Sequence, residues 1–149
     1  MPSRRLRRRE RAAVYAVLGV VTEVAFTAVE GSLHRSTRSA KLEGYTYLWM
    51  PPIYALCAVL YEPLHDRVRD VPVAQRAAVY AAGFIGVEYV TGRLIERAAG
   101  VIPWDYRGRS RFQLHGATRF DYAPLWAAAG MALEPVDDAL RSLRLSRAG

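Results

Sequence analysis

The chain lacks most of the sequence signals that identify a soluble enzyme. It has one cysteine, Cys57, among its 149 residues, which excludes an intramolecular disulfide framework and a zinc site built from several thiolates. The patterns G-x-x-x-x-G-K-[ST], G-x-S-x-G and H-E-x-x-H are also missing. We therefore predict no ATPase site in this chain and no cofactor.

Long apolar segments are what the sequence has instead. Hydrophobic residues make up 52% of the chain, while the mean hydropathy is only -0.01 because the polar residues are concentrated in the N-terminus, the connections and the tail. Four segments have the length of about 20 residues that a spanning helix needs: roughly 12–33, 45–65, 77–97 and 121–140. The pattern predicts an all-α fold, an integral membrane four-helix bundle. A soluble four-helix bundle remains the alternative.

The four segments form two similar pairs, because the hexapeptide "RAAVYA" occurs at 11–16 and again at 76–81. Keeping that offset of 65 residues places Glu23 on Glu88. At an offset of 72, a second set of identities appears: Leu42, Gly44, Thr46, Pro52, Ala55, Glu62 and Pro63 match Leu114, Gly116, Thr118, Pro124, Ala127, Glu134 and Pro135. This predicts two tandem helical hairpins, repeat 1 at about 11–69 and repeat 2 at about 76–141, related by an axis along the membrane normal.

The basic residues predict the orientation of the domain at 12–140. Six arginines lie within "RRLRRRER", Arg4 to Arg11, and Arg141, Arg144 and Arg147 lie near the other end. Since arginines flank spanning helices on the cytoplasmic side, we expect segments 1–11 and 141–149 inside, at the cell membrane. The outer connections obey the rule less cleanly, since they carry Arg35, Arg38 and Lys41, and then Arg107, Arg109, Arg111 and Arg119.

Two other partners of the basic block are disfavoured. No nucleic-acid-binding motif follows it, so we predict the lipid bilayer and not a nucleic acid as its partner. The "SRR" triplet resembles a twin-arginine export signal, but Glu23 interrupts the apolar region and the segment recurs later in the chain. We therefore expect no cleavage.

Four glutamates within the predicted spans are the main candidates for chemistry. Glu23 and Glu88 are expected near the middle of their helices, and Glu62 and Glu134 near the inner ends. Ionisable groups in hydrocarbon are costly and usually face the bundle interior. Glu23 and Glu88 could line a substrate or proton site on the repeat axis, or each glutamate could simply fasten its helix to a neighbour.

The same carboxylates suggest a di-iron site, which this sequence fits poorly. Such bundles use two single glutamates and two Glu-x-x-His pairs. Glu23, Glu88, Glu62 and His65 would supply three of the four parts, but Glu134 is followed by Asp137 where the second histidine is needed. The expected depths of Glu23 and Glu62 also differ. Hence no metal site is predicted.

The connection from Gly100 to Tyr122 interleaves aromatic residues and arginines, and His34 and His115 flank the same outer face. One interpretation is an interfacial belt, with the aromatic rings at headgroup level. The other is a cap in which Trp104, Asp105, Tyr106 and Arg107 fold over the outer mouth of the bundle.

The most specific motif is "EYVTGRLIE" at 88–96, followed by Gly100 and by "WDY" at 104–106. Together with "LGVVTE" (18–23), "PPIYAL" (51–56) and "FQLHG" (112–116), it resembles the ABC-transporter type IV family of CmpB-like proteins, which are small multi-pass bacterial membrane proteins. The resemblance runs from about Leu18 to Gly116 and extends to Pro135. It implies a multi-pass membrane fold and a transport-related, permease-like role.

A transporter without its own nucleotide site needs a separate ATP-binding subunit, and four short helices enclose so little volume that homo-oligomerisation is compatible with the sequence. Two alternatives stay open: a membrane-embedded enzyme acting on lipid or another apolar substrate through its carboxylates, and a non-catalytic scaffold. The candidate substrate-binding residues are Glu23, Glu88, Tyr89, Thr91, Glu96, Trp104, Asp105, Tyr106 and Arg107, with Glu62 and Glu134 as candidate carboxylates at the inner ends.

Overall fold

The computed structural model describes residues 3–34 and 41–146 and is mainly helical. The α-helices are α1 (Arg8–His34), α2 (Met50–Ala55), α3 (Tyr61–Val68), α4 (Val73–Ala99) and α5 (Ala123–Ser142). The strands are β1 (Ser3–Arg5), β2 (Gln113–Leu114), β3 (Thr118–Arg119) and β4 (Arg144–Ser146). The predicted all-α class is confirmed. Arg35, Arg38, Arg147 and the side chain of His34 lie outside the described residues.

The chain divides into two compact units. The first comprises the described parts of Met1–Pro63 and Arg141–Gly149, and the second is Leu64–Leu140. In the first unit, Tyr15 of α1 is buried, as is Ala58 in the turn that follows α2. In the second, the core is formed where α4 meets α5 and the connection between them. Gly130 of α5 is so close to Tyr80 of α4 that a Cβ at Gly130 would lie 2.3 Å from the Cβ of Tyr80.

Helix α1 is the apolar helix of the first unit and is largely uncovered. Its most apolar window has a mean hydropathy of 1.9, and only 11% of that window is buried. Val17 and Val21 expose about 60% of their surface. Among the described residues, α1 is the one helix that is both long and apolar enough to cross a membrane. The other three predicted spans do not reach that level.

The second predicted span, at 45–65, is not one helix. Helix α2 begins at Met50, with prolines in its first turn where their missing N–H groups cost no hydrogen bond. A 3₁₀ turn, Leu56–Ala58, follows, and α3 begins only at Tyr61. Pro63 explains the interruption, because it cannot donate a hydrogen bond to the carbonyl of Val59, which a continuous helix requires.

The third and fourth predicted spans correspond to α4 and α5. Helix α4 begins after Pro72 and ends at Gly100, whose positive φ of 75° lets its N–H bond to the carbonyl of Glu96 at 2.8 Å. Helix α5 contains Pro135 in its interior. Charged side chains along both helices lower their mean hydropathy. For this reason neither is as apolar as α1.

Two short antiparallel pairs complete the fold. β2 and β3 form a hairpin after α4, in which Leu114 lies opposite Thr118. β1 and β4 pair with Ser3 opposite Ser146 and Arg5 opposite Arg144. The second pairing brings the two ends of the described chain side by side.

Candidate functional site

Glu88 of α4 lies at the centre of a polar site in the second unit. The hydroxyl of Tyr106 donates to Oε1 of Glu88 at 2.7 Å, and the hydroxyl of Thr118 donates to Oε2 at 2.5 Å. Thr118 is fully buried. Both carboxylate oxygens therefore accept a hydroxyl hydrogen bond, one from the connection and one from β3.

The hairpin that carries Thr118 is held against α4 by Trp104 and Gly92. The indole N–H of Trp104 donates to the carbonyl of Ala117 at 2.9 Å. A Cβ at Gly92 would lie 3.0 Å from the Cβ of Ala117, so the glycine permits this close approach of the hairpin.

The turn at the tip of the hairpin holds Tyr106 in place. His115 and Gly116 both have a positive φ, of 53° and 73°, and the N–H of Tyr106 donates to the carbonyl of Gly116 at 3.0 Å. The side chain of Asp105 lies against Gly116, because a Cβ there would be 2.3 Å from Oδ1 of Asp105. Glycine is needed at position 116 for both its conformation and its size.

Tyr106 and the groups around it favour a protonated phenol. Burial, together with the neighbouring carboxylate of Glu88, raises the pKa of Tyr106 far above its usual value. The guanidinium of Arg119, 5.5 Å from the centre of the Tyr106 ring and 4.0 Å from that of Tyr122, acts in the opposite direction but is outweighed by burial and by Glu88. Tyr106 therefore remains a hydrogen-bond donor to Glu88 at every physiological pH.

A second carboxylate of α4, Glu96, is bound by two arginines. Arg107 donates to Oε1 of Glu96 at 2.8 Å, and Arg93 pairs with Oε2 as their spacing on the helix predicts. Asp105 accepts the backbone N–H of Arg107 at 2.9 Å. Two residues from the candidate cap, Asp105 and Arg107, thus form a polar rim with Glu96.

The hydroxyls of Tyr89 and Thr91 bond to groups other than the carboxylate of Glu88, although that of Thr91 also donates to the backbone carbonyl of Glu88 at 3.3 Å. The hydroxyl of Thr91 bonds to the carbonyl of Val87 at 2.7 Å, within its own helix. The hydroxyl of Tyr89 is 3.0 Å from Nδ1 of His115. Trp104 is buried, so it packs inside the unit and does not lie exposed as the belt interpretation expects.

In the first unit, Glu23 is also bound by hydroxyl groups. Thr46 donates to Oε2 of Glu23, and Tyr54 makes a second side-chain hydrogen bond to the same carboxylate. The segment before α2 lies close to α1, because a Cβ at Gly44 would be 2.0 Å from the carbonyl oxygen of Val24. Glu23 and Glu88 therefore have the same kind of environment, each within its own unit.

The inner-end carboxylates form ion pairs in both units. Glu62 is buried and accepts from Nε and Nη2 of Arg11, each at 2.7 Å. Arg141 lies 3.9 Å from the same carboxylate. Glu134 accepts from Nε of Arg76 at 2.8 Å and from Nη2 at 3.1 Å. Fork-shaped contacts of this kind hold a carboxylate in one orientation.

The contacts of the two units occur at matching sequence positions. Adding 65 to Arg11 and 72 to Glu62 gives the pair Arg76 and Glu134. The same additions convert the contact of Glu23 with Thr46 into that of Glu88 with Thr118. They also convert the contact of Gly19 with Tyr54 into the stacked pair Phe84 and Trp126.

The partners of the glutamates were not identified from the sequence. Thr46 and Thr118 were aligned with each other as identities between the two halves, but neither was assigned to a carboxylate. Arg76 likewise appeared only as the first residue of the repeated hexapeptide, and Arg11 also as the last residue of the basic N-terminal block. The signal that could have identified them is recurrence. A polar residue that occurs at equivalent positions in both copies is a candidate hydrogen-bond donor to the glutamate that also occurs in both.

The candidate metal set is only partly assembled. Within the second unit, Nδ1 of His65 lies 3.7 Å from Oε1 of Glu134, whereas Glu88 is bound by Tyr106 and Thr118. Glu23 and Glu62 have their own partners in the first unit.

Comparison with known proteins gives one result that covers most of the chain. Residues 12–142 match the model of the family described as "Putative ABC-transporter type IV". The chain belongs to this family. Neither the curated proteins nor the solved structures gave a match.

Membership in the ABC-transporter type IV family confirms the resemblance seen in the sequence. The matched range contains Glu23, Glu88, both inner-end carboxylates and the whole Gly100–Tyr122 connection. The family description is consistent with a transport-related role and with a membrane location.

Proposed function

We propose that the protein is a multi-pass, permease-like membrane component of a transport system, with no nucleotide site of its own. The observation that carries this proposal is the hydroxyl-bound Glu88, on a helix of the length that spans a bilayer. Family membership and the exposed apolar surface of α1 add support. A carboxylate among hydroxyl donors can exchange one of them for a donor of a substrate, or can take up a proton.

The proposed architecture is a duplicated hairpin within a membrane domain at 12–140. The matching ion pairs Arg11–Glu62 and Arg76–Glu134 support it, as do the matching hydroxyl contacts of Glu23 and Glu88. The pairing of β1 with β4 brings the two ends of the described chain together, which agrees with an even number of membrane crossings. Helix α1 would cross as one helix, whereas α2 and α3 would cross as a helix interrupted near Pro63.

The connection after α4 would act as the outer cap of the Glu88 site. Tyr106 binds the glutamate directly, and Arg107 with Glu96 closes the adjacent polar rim. Movement of the hairpin would break the Tyr106 and Thr118 hydrogen bonds together, because Ala117 and Gly116 tie both residues to the same turn. In this proposal, opening the cap exposes Glu88 to a substrate.

The proposed surroundings follow from these features. The bilayer covers the exposed side of α1, and the basic segments 1–11 and 141–149 lie at its cytoplasmic surface. A separate subunit binds ATP, and homo-oligomers are compatible with the small volume of one chain. The candidate substrate-binding residues keep their predicted roles, except that Thr91 would act only through the shape of α4.

Cysteine labelling tests the topology. With Cys57 replaced by serine, single cysteines are placed at Ser110 in the connection and at Asp70 between α3 and α4. We expect an impermeant thiol reagent to label position 110 in intact cells, and to label position 70 only after permeabilisation. Labelling of both positions in intact cells, or of neither, would contradict the proposed crossings.

Replacement of the two glutamates tests the transport role. Cells expressing the wild type are compared with cells expressing the double variant Glu23→Gln and Glu88→Gln, and with the loop control Glu43→Gln, at equal membrane levels. We expect some solute to change in amount with the wild type and the control but not with the double variant. If the double variant only loses thermal stability, the protein is a scaffold and the transport proposal fails.

A further inference from the structure

A cluster of possible metal ligands lies where α3 and the last turns of α5 meet in the second unit. Ligand atoms of His65, Asp137 and Asp138 all lie within 4.8 Å of one another. Nε2 of His65 is 3.8 Å from Oδ1 of Asp138. His65 and Asp137 are 2% and 0% exposed, whereas the side chain of Asp138 is about half exposed. The cluster is therefore enclosed on two sides and open to solvent at Asp138.

The hydrogen bonds of Tyr80 determine which nitrogen of His65 can bind a cation. The Tyr80 hydroxyl donates to Oε1 of Glu134 at 2.8 Å, and the same carboxylate pairs with Arg76. The hydroxyl has only one proton, so it must accept from Nδ1 of His65, which lies 2.8 Å away. In the neutral ring the lone pair is then on Nε2, the nitrogen nearest Asp138.

Three acceptor atoms consequently converge: Nε2 of His65 and one oxygen from each aspartate. A metal ion bound between them would relieve their mutual repulsion. Metal-binding histidines typically donate a hydrogen bond from the ring nitrogen that does not bind the metal, and the acceptor of that bond fixes the tautomer. Tyr80, which is itself bonded to Glu134, is that acceptor here.

We propose that His65, Asp137 and Asp138 form a binding site for one divalent transition cation of the Zn²⁺ type. One imidazole and two carboxylates match the ligands of zinc, and three protein ligands leave a position for water or substrate. This set differs from the glutamate set considered from the sequence, and it does not depend on the transport proposal.

Two of the three proposed ligands occupy equivalent positions in the internal repeat. "EPLHD" at 62–66 and "EPVDD" at 134–138 are the same element 72 residues apart, so His65 and Asp137 occupy equivalent positions in the two copies. The missing second histidine argued against a di-iron motif. The structure instead places its replacement, Asp137, in a cluster with His65.

Arg69 competes with the proposed cation. Its guanidinium donates to both oxygens of Asp138, at 2.7 and 3.2 Å, and it lies 3.9 Å from Asp66. A bound cation must draw Asp138 away from Arg69. Removing the arginine should therefore strengthen metal binding, although it removes an ion pair.

The experiment uses the full chain in detergent, stripped of metal with a chelator and titrated calorimetrically with Zn²⁺ alone. We expect about one ion per chain, and weaker binding of Mg²⁺, which prefers an all-oxygen site. Asp138→Asn should weaken Zn²⁺ binding by about 10-fold or more. Asp66→Asn is the matched control, because Asp66 has the same side-chain exposure as Asp138 and also lies near Arg69, yet it is outside the cluster.

Two further outcomes decide the proposal. Arg69→Gln should increase Zn²⁺ affinity several-fold, which a misfolded variant would not do. Absence of stoichiometric Zn²⁺ binding by the wild type would overturn the proposal. Equal losses in the Asp138 and Asp66 variants, or weaker binding after Arg69→Gln, would also overturn it.

Discussion

Arg76 and Glu134 form a two-point ion pair, with Nε of the arginine 2.8 Å from Oε1 of the glutamate and Nη2 3.1 Å from Oε2. Arg11 and Glu62 form the same contact in the first unit, with both distances 2.7 Å. Each pair joins the first helix of a predicted hairpin to the second. The two ion pairs thus link the helices of the two hairpins in the same way.

Loss of one member of such a pair should destabilise the protein strongly. Glu62 is almost fully buried, and an unpaired buried charge costs about 3 to 5 kcal/mol. We expect Arg11→Met to lower the free energy of unfolding by no more than about 3 kcal/mol, the lower end of that range, because Arg141 remains 3.9 Å from the carboxylate. Denaturant unfolding of the detergent-solubilised protein measures it, with the exposed Arg5→Met as the control. The double variant Arg11→Met with Glu62→Gln should be less destabilised than the sum of the single variants.

Two glycines with left-handed backbone conformation allow the cost of steric overlap to be measured separately from the cost of the conformation. Gly116 and Gly108 have φ of 73° and 76°, but only Gly116 has close neighbours. Alanine at Gly108 should cost about 1 to 2 kcal/mol, the price of the conformation alone. Alanine at Gly116 should cost clearly more, since its Cβ would meet Asp105. Thermal unfolding of the two variants, compared directly, gives the difference; equal losses would show that Asp105 can move aside freely.

Two glycines within α4 should respond to alanine with opposite signs. A Cβ at Gly86 meets nothing within 4 Å, so Gly86→Ala should stabilise the helix by about 0.5 to 1 kcal/mol. Gly92→Ala should destabilise the protein, because its Cβ would press on Ala117 and on the ring of Trp104. The measurement is again the unfolding midpoint. Stabilisation by both substitutions would mean that the hairpin is not held closely against α4.

Asp121 should contribute to stability in a pH-dependent way. Its hydrogen bond from Arg119 lowers the pKa of the Asp121 carboxyl to about 2, so the unfolded chain binds a proton at higher pH than the folded chain does. The contribution is present above about pH 4 and is lost as the pH falls toward 2. We expect the difference in melting temperature between the wild type and Asp121→Asn to shrink over that range. Arg119→Gln, which removes the largest cause, should reduce the pH dependence of the difference, while the hydrogen bond from Ser110 preserves part of it.

The long helices were predictable from local sequence. α4 was expected at 77–97 and runs from Val73 to Ala99, because an apolar run and a terminal glycine are local signals. The interruption of the second span was not predicted. Pro63 lies near the end of the predicted span at 45–65, whereas its missing hydrogen bond acts one turn earlier, at Val59.

The polar partners depend on tertiary placement and were therefore harder to predict. Thr118 reaches Glu88 only because the hairpin folds back onto α4 at Gly92, and nothing near Thr118 in the sequence encodes that contact. The cluster of His65 with Asp137 likewise depends on two helices meeting. Comparing the two copies position by position would have indicated only the first contact, since Glu23 with Thr46 recurs as Glu88 with Thr118 at offsets of 65 and 72.

The pairing of β1 with β4 has a practical consequence for how this chain can be cut and rejoined. Adjacent ends can be connected by a short glycine-rich linker without crossing the rest of the first unit. New ends could then be opened at Gly108, where an added Cβ would meet no atom within 4 Å. The result would be a circularly permuted chain that starts in the connection between α4 and α5 and keeps the hairpin of the Arg11–Glu62 ion pair covalently intact.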